Sequence, residues 1–232
     1  MVPRGRGTDR RRPDRAARAR RHAARRSTTY TGDRHRLRYM ASPSAVPEAF
    51  TRAVEGLRAG SPRPEILLEE IAPPRKLAPF AFALSATVLR AGEEVAGGRL
   101  ILLHEPAGHE AWRGDLRLVT LVTAELEADL ASDPLLQAVA WTWLTDGLDQ
   151  HQAAYTAIGG TITQTTSVRF GELAGPPPTA DLEIRASWTP TSDDLRAHLY
   201  GWCAMLSSTA GLPPPGVTAI ADRHRAGAAK TE

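Results

Sequence analysis

The chain has 232 residues, 42% of them hydrophobic, which suits one globular domain with its own core, or one domain and a tail. It lacks a run of about 18 apolar residues, so no membrane-spanning helix and no membrane partner is predicted. Its single cysteine, Cys203, excludes an internal disulfide and a four-cysteine zinc site, and a reducing, cytoplasmic location is expected.

The formal net charge of +3 conceals two segments of opposite sign. Residues 1–39 contain 14 Arg, no Lys and 3 Asp, a net charge of +11. Residues 40–232 contain 15 basic and 23 acidic residues, a net charge of −8. Because residues 1–39 carry almost no apolar side chains, we expect them to be disordered.

Two explanations of this basic segment stay open. It could be an arm that binds nucleic acid through the phosphates. Alternatively, Met1 is a mis-set start and translation begins at Met40, because Arg, Gly, Pro, Ala and His without Lys are typical of GC-rich non-coding DNA read in frame. We favour the second explanation, since the acidic body would repel the phosphates that the arm attracts.

The first half of the body predicts one helix and then strands. PEAFTRAVEGLRAGSP indicates a helix, and EILLEEI a short strand. In FAFALSATVLR large apolar residues alternate on one side, from Phe80 to Val88, while the other side is small and could lie under a helix. GRLILLHE and LRLVTLVTAEL are apolar on both faces, which favours central strands, and EPAGHEAWRGD between them indicates a loop.

The second half predicts a helix and a hairpin. SDPLLQAVAWTWLTDGLDQHQ begins with Asp133 as the expected N-cap and Pro134 at the first helical position. AYTAIGGTITQTTSVRF and TADLEIRASW form the hairpin, with a bulge at the glycine pair. In its first strand Ile162, Val168 and Phe170 are expected to face inward.

The last helix is predicted in TPTSDDLRAHLYGWCAMLSSTAG, with Thr191 and Asp194 as a capping box and Gly211 at its end. Its buried stripe comprises Leu195, Leu199, Trp202, Cys203 and Leu206. A cysteine on such a stripe favours packing over nucleophilic chemistry.

Together these elements predict an α+β fold, a mainly antiparallel sheet of about six strands packed by three helices, with a disordered basic N-terminal segment. Three segments follow: disordered residues 1–39, a single domain over residues 40–212, and a flexible tail over residues 213–232.

No catalytic, cofactor-binding or metal-binding residue is predicted. The cluster HEPAGHE, which begins at His104, lacks the four-residue histidine spacing of a zinc-protease helix, and its proline and glycine forbid a helix. A solvated turn is favoured over a loop metal site. The sequence also lacks a glycine-rich phosphate loop and a GxSxG nucleophile elbow.

Five residues are candidates for contact with a ligand or partner. Trp112, near His104 and Arg117, could line a pocket or anchor a partner, or could cap the sheet core. Arg169 and Arg185 lie on the polar face of the final hairpin, which could bind a partner or face water.

The leading hypothesis is a non-enzymatic binding or regulatory module that acts through contact with another protein, without a cofactor. A competing hypothesis is an enzyme or small-ligand-binding protein with a pocket near His104 and Trp112. A third is nucleic-acid binding, which depends on residues 1–39.

The body also resembles a known family. The stretches RPEILLEEIAPPRKLAPFAFALSA, GRLILLHEPAGHEAWRGDLRLVTLV, DPLLQAVAWTWLTDGLDQH, LEIRASWTP and AHLYGWCAMLSSTAGLPPPGV are similar to the actinobacterial domain-of-unknown-function family 3000, over nearly all of residues 46–217. The resemblance implies no reaction, cofactor or site residue.

Overall fold

The structure is a computed structural model that describes residues 45–175 and 177–214. The predictions for residues 1–39 and for a start at Met40 lie outside the described residues, and the predicted tail is described only at Pro213 and Pro214. The helices are α1 (Glu48–Arg58), α2 (Ala128–Ala131), α3 (Leu136–Gln150) and α4 (Arg196–Thr209). The strands are β1 (Ile66–Ile71), β2 (Phe80–Arg90), β3 (Glu93–His109), β4 (Gly114–Leu126), β5 (Tyr155–Ser167) and β6 (Thr179–Pro190).

The six strands form one sheet in the order β1-β2-β3-β4-β6-β5, and every neighbouring pair is antiparallel. Short connections explain this for β1 to β4 and for β5 with β6, since parallel neighbours need a long crossover. The predicted α+β fold with about six strands and three helices is confirmed, and α2 adds a single turn.

One face of the sheet and the helices enclose the core. On β2, Phe82, Leu84 and Val88 point into it, as the alternation predicted. Helix α4 lies across β3 and β4, where Trp202 and Leu206 approach Gly98.

The expectation that the small side of β2 lies under a helix is wrong. That side, which includes Ala83 and Ser85, belongs to the opposite face of the sheet, here called the open face. The core needs the large side chains of β2 to fill the space beneath the helices, so the small ones turn away.

Helices α3 and α4 pack unusually closely because two glycines meet. A Cβ atom at Gly147 would lie 2.6 Å from the carbonyl oxygen of Gly201. A side chain at either position would therefore force the two helices apart.

The predicted start of α3 is wrong by two residues. The helix begins at Leu136, and the Asp133 carboxylate accepts a hydrogen bond from the Leu135 N–H at 2.8 Å. Asp133 thus stabilises a turn that precedes the helix instead of capping the helix itself.

The capping box predicted for α4 is also wrong. Helix α4 begins at Arg196, whose N–H donates to the Asp194 carboxylate at 3.1 Å, while the Thr191 hydroxyl donates to the Ala154 carbonyl. Thr191 is therefore occupied by the loop before β5 and does not reach the helix.

The hairpin strand β5 ends earlier than its alternation suggested. Its ladder with β6 stops at Ser167, and beyond it Val168 and Phe170 are 53% and 79% exposed. Their predicted inward orientation is wrong, because alternation places a side chain inside only while the strand stays paired. The predicted bulge is confirmed as a register shift between Thr156 and Gly159.

Candidate functional site

His104 lies on the helical side of the sheet. Its ring stacks on Phe50 of α1 with the centroids 6.0 Å apart, and it is fully covered. Nδ1 lies 3.1 Å from the Asp115 carbonyl oxygen, so this nitrogen carries the hydrogen and donates. Nε2 is buried and has no hydrogen-bond partner among the described residues.

Trp112 lies in a 3₁₀ turn between β3 and β4. Its ring stacks on His109 with the centroids 4.6 Å apart, and its carbonyl oxygen accepts a hydrogen bond from the Thr189 hydroxyl at 2.6 Å. Within the described part of the chain, no hydrogen bond or ring contact joins Trp112 to His104. The pocket near His104 and Trp112 stays a prediction, and the two residues belong to separate clusters.

Arg117 connects three strands on the open face. It extends from β4 and donates to the Ala157 carbonyl at 2.8 Å, to the Thr189 hydroxyl at 3.1 Å and to the Ser187 hydroxyl at 2.6 Å. Ala157 lies in the bulge of β5 with a left-handed φ of 49°, so Arg117 helps to hold that irregular backbone.

The charge of Arg117 has no carboxylate within ion-pair distance among the described residues. Its half-buried position lowers the pKa of the guanidinium through desolvation. Arginine nevertheless stays protonated near neutral pH. The open face therefore holds a positive charge that only neutral oxygens compensate.

The other two candidate arginines, Arg185 and Arg169, lie in different parts of the structure. Arg185 lies on the open face at β6, where it donates to the Glu183 carboxylate at 2.7 Å. Arg169 follows β5 in the hairpin loop and donates to the Pro177 carbonyl at 3.4 Å. The structure thus brings Arg117 and Arg185 to one face and leaves Arg169 at the hairpin end.

A groove of about 520 Å³ lies on the open face. Its floor is apolar and comes from the central strands, with Ile101 on β3 and Val119 and Leu121 on β4. On β5, Gly159 has no side chain on this face, which leaves the groove open on that side, while Gly160 contributes only backbone because its Cβ would point towards Trp141 of α3. We call it the arginine groove, and its remaining lining is Arg99, Thr120, Thr161, Arg185, Ala186 and Ser187.

The strand register explains how arginines come to surround this floor. Arg99 pairs with Leu121, which pairs with Arg185, so the two arginines flank Leu121 in one row across the sheet. On β4, Arg117 precedes Val119 by two residues and therefore lies on the same side. Sequence reasoning missed Arg99 and the apolar floor. The alternation of β3 does place Arg99 and Ile101 on the same face of the strand. Only the strand register, however, shows that this face is shared with Arg185.

Arg99 is exposed and makes no ion pair with any described residue, whereas Arg185 forms an ion pair with Glu183. The next row along the strands contains Glu183, and the row after that pairs Glu125 with Asp181. The open face is therefore polarised along its strands, basic at the arginine groove and acidic towards Glu125.

Other chemistry is limited in the described residues. Burial raises the pKa of the Cys203 thiol to about 12, so the reactive thiolate is scarce near neutral pH. No three His, Cys, Asp or Glu side chains of residues 45–175 and 177–214 cluster closely enough to hold a metal ion. In the same residues, no helix is both long and apolar enough to cross a membrane.

Comparison with known proteins gives one match. The model of a family described as protein of unknown function (DUF3000) matches residues 46–218. No curated protein and no solved structure matches the chain.

Proposed function

We propose that this chain, which belongs to the DUF3000 family of proteins of unknown function, is a non-enzymatic protein-binding module. Its binding surface is the arginine groove on the open face of the sheet. The observation that carries this proposal is the one-sided packing of the sheet, with helices over one face and an apolar floor flanked by Arg99 and Arg185 on the other.

The apolar floor supplies the affinity in this proposal. Ile101, Val119 and Leu121 are each partly exposed, at the centre of a sheet whose other face is covered. Covering such side chains yields about 25 cal/mol per Å² of apolar surface. An apolar centre with a polar rim is also the usual composition of a protein interface, in which arginine is enriched.

The charges define the partner. The body from residue 40 onward has a net charge of −8, yet Arg99, Arg117 and Arg185 lie around one apolar floor. A partner that fits presents aliphatic side chains between carboxylates. Because the rim arginines are exposed or only half buried, they contribute more to the choice of partner and to the association rate than to affinity.

The proposal can be tested without knowing the natural partner. A random-peptide display library is selected against the full chain, and the enriched peptides are synthesised for anisotropy measurements. We expect the enriched sequences to combine Asp or Glu with Leu, Ile or Val. We further expect their affinity to fall as salt rises, because the pairs at the rim are screened.

The paired change Arg99→Glu with Arg185→Glu should weaken the selected peptides at least tenfold, which corresponds to about 1.4 kcal/mol. The matched control is Arg196→Glu, the same charge change at an exposed residue of α4 in the helical layer, and it should leave affinity within about twofold. Peptides without acidic residues, or equal effects of the groove and control variants, would refute the proposal.

A further inference from the structure

We propose that the chain associates with a second copy of itself through the free edge of β5, which joins the two sheets into one. The surface is the regular part of β5, from Gly159 to Ser167, and the partner strand is the same segment in the opposite direction. This inference concerns the edge of the sheet and does not depend on the arginine groove.

The two edges of the sheet differ in how they are protected. β1 is only six residues long and carries the exposed acids Glu69 and Glu70, the second of which pairs with Arg58. Prolines lie on both sides of it, at 62, 64, 73 and 74. Short length, charge and proline are the usual devices that prevent a sheet edge from pairing with another chain.

The β5 edge lacks most of these devices. The strand is 13 residues long, and the sequence has no charged residue and no proline from Gln152 to Val168. Its one protective feature is the bulge between Thr156 and Gly159, which leaves Gly159 to Ser167 as a regular ladder with β6. Among the described residues, only β6 forms backbone hydrogen bonds with these nine residues, so their outer backbone groups can pair with a further strand.

The sequence of this segment is suited to pairing with itself. Its midpoint is Thr163, so a twofold axis there places Thr161 opposite Thr165 of the second copy and Thr163 opposite its own equivalent. Thr161, Thr163 and Thr165 all lie exposed on the open face. Opposed threonines stabilise an antiparallel pair, and no like charges meet.

The charges of the open face complement one another in two of three rows in this arrangement, while the middle row, through Thr163, places Glu183 opposite its own equivalent. Thr161 lies in the row of Arg185, and Thr165 lies in the row of Asp181. The twofold axis therefore continues the row of Arg185 into the row of Asp181 of the second copy. The two residues would be about 14 Å apart, three strand spacings, so the attraction is weak but has the right sign at both ends.

The predicted dimer is weak. A stable interface buries about 1,600 Å², and a contact between single strands is smaller, so we expect a concentration-dependent equilibrium. Sedimentation velocity of the full chain over a wide concentration range should show a shift from monomer to dimer.

Charge substitution at the midpoint tests the geometry. Thr163→Lys and Thr163→Glu each place two like charges opposite one another, and each variant alone should stay monomeric. An equal mixture of the two should recover the dimer, because opposite charges then meet. The control Thr123→Lys puts the same charge on the open face two strands further in, and it should dimerise like the wild type.

Three outcomes would overturn the proposal. The wild type could remain monomeric at every concentration, the mixture could fail to recover a dimer that both variants lose, or Thr123→Lys could abolish association as fully as Thr163→Lys. If the wild type remains monomeric, hydrogen exchange of the backbone amides of β5 shows whether its edge is exposed or covered. Outer β5 amides that are protected in a monomer would show that another part of the same chain covers the edge.

Discussion

The hydrogen bond between Trp202 and Thr120 joins α4 to the strand that carries the floor of the arginine groove. The Thr120 hydroxyl accepts from the Trp202 indole N–H at 2.8 Å and donates to the Arg99 carbonyl at 2.9 Å, and both side chains are buried. Thr120→Val keeps the shape of the side chain but leaves the indole N–H without an acceptor. An orphaned buried donor costs about 1–3 kcal/mol, and we expect a loss of this size in the free energy of unfolding.

The double-mutant cycle sharpens this prediction. Trp202→Phe removes the donor and also reduces the core volume, so by itself it should cost about 2–4 kcal/mol. In the double variant the indole N–H is already absent, so Thr120→Val leaves no buried donor without an acceptor. The combined loss should therefore fall short of the sum of the single losses by about 1–3 kcal/mol.

Urea unfolding followed by far-ultraviolet circular dichroism measures all four proteins without relying on tryptophan fluorescence. The control is Thr123→Val at an exposed position of the same strand, for which a change within about 0.5 kcal/mol is expected. Additivity of the two single losses within about 0.5 kcal/mol would show that the bond contributes nothing specific, and the reasoning would fail.

Three further predictions concern the described residues. Gly147→Ala should lower the stability in thermal unfolding by about 1–3 kcal/mol, because its Cβ would lie 2.6 Å from the Gly201 carbonyl oxygen. The control Gly159→Ala, whose Cβ would have no neighbouring atom within 4 Å, should be neutral or slightly stabilising. Burial lowers the pKa of His198 to about 4, below the unfolded value of about 6.5, so the free energy of unfolding should fall by about 3 kcal/mol as the pH drops from about 6.5 to about 4. His198→Gln should flatten this part of the plot of the free energy of urea unfolding against pH. An unchanged slope in the variant would contradict this prediction. Cys203 should resist thiol reagents in the folded chain and react on denaturation, and fast labelling of native protein would argue against its burial.

The local elements followed from the sequence where burial has a simple period. The alternation of β2 from Phe80 to Val88 and the stripe of α4 from Leu195 to Leu206 both point into the core as predicted. A period of 2 or 3.6 records which side chains leave water, and this needs no knowledge of the partner element.

The ends of the elements did not follow from the sequence. Asp133 and Thr191 have the residue types of helix caps, yet one stabilises a preceding turn and the other contacts Ala154. Val168 and Phe170 continue an alternation that the ladder no longer supports. Each of these outcomes depends on where a neighbouring segment ends, which local preference does not encode.

The sequence by itself determined the order of helices and strands, the antiparallel sheet and the central position of β3 and β4. Only the tertiary structure decided that one face of those central strands is left open and that Arg99, Arg117 and Arg185 gather on it. The parity of a side chain along its strand is a local property. The residue that it meets on the next strand depends on strand order and register, which are set by long-range pairing across the whole sheet.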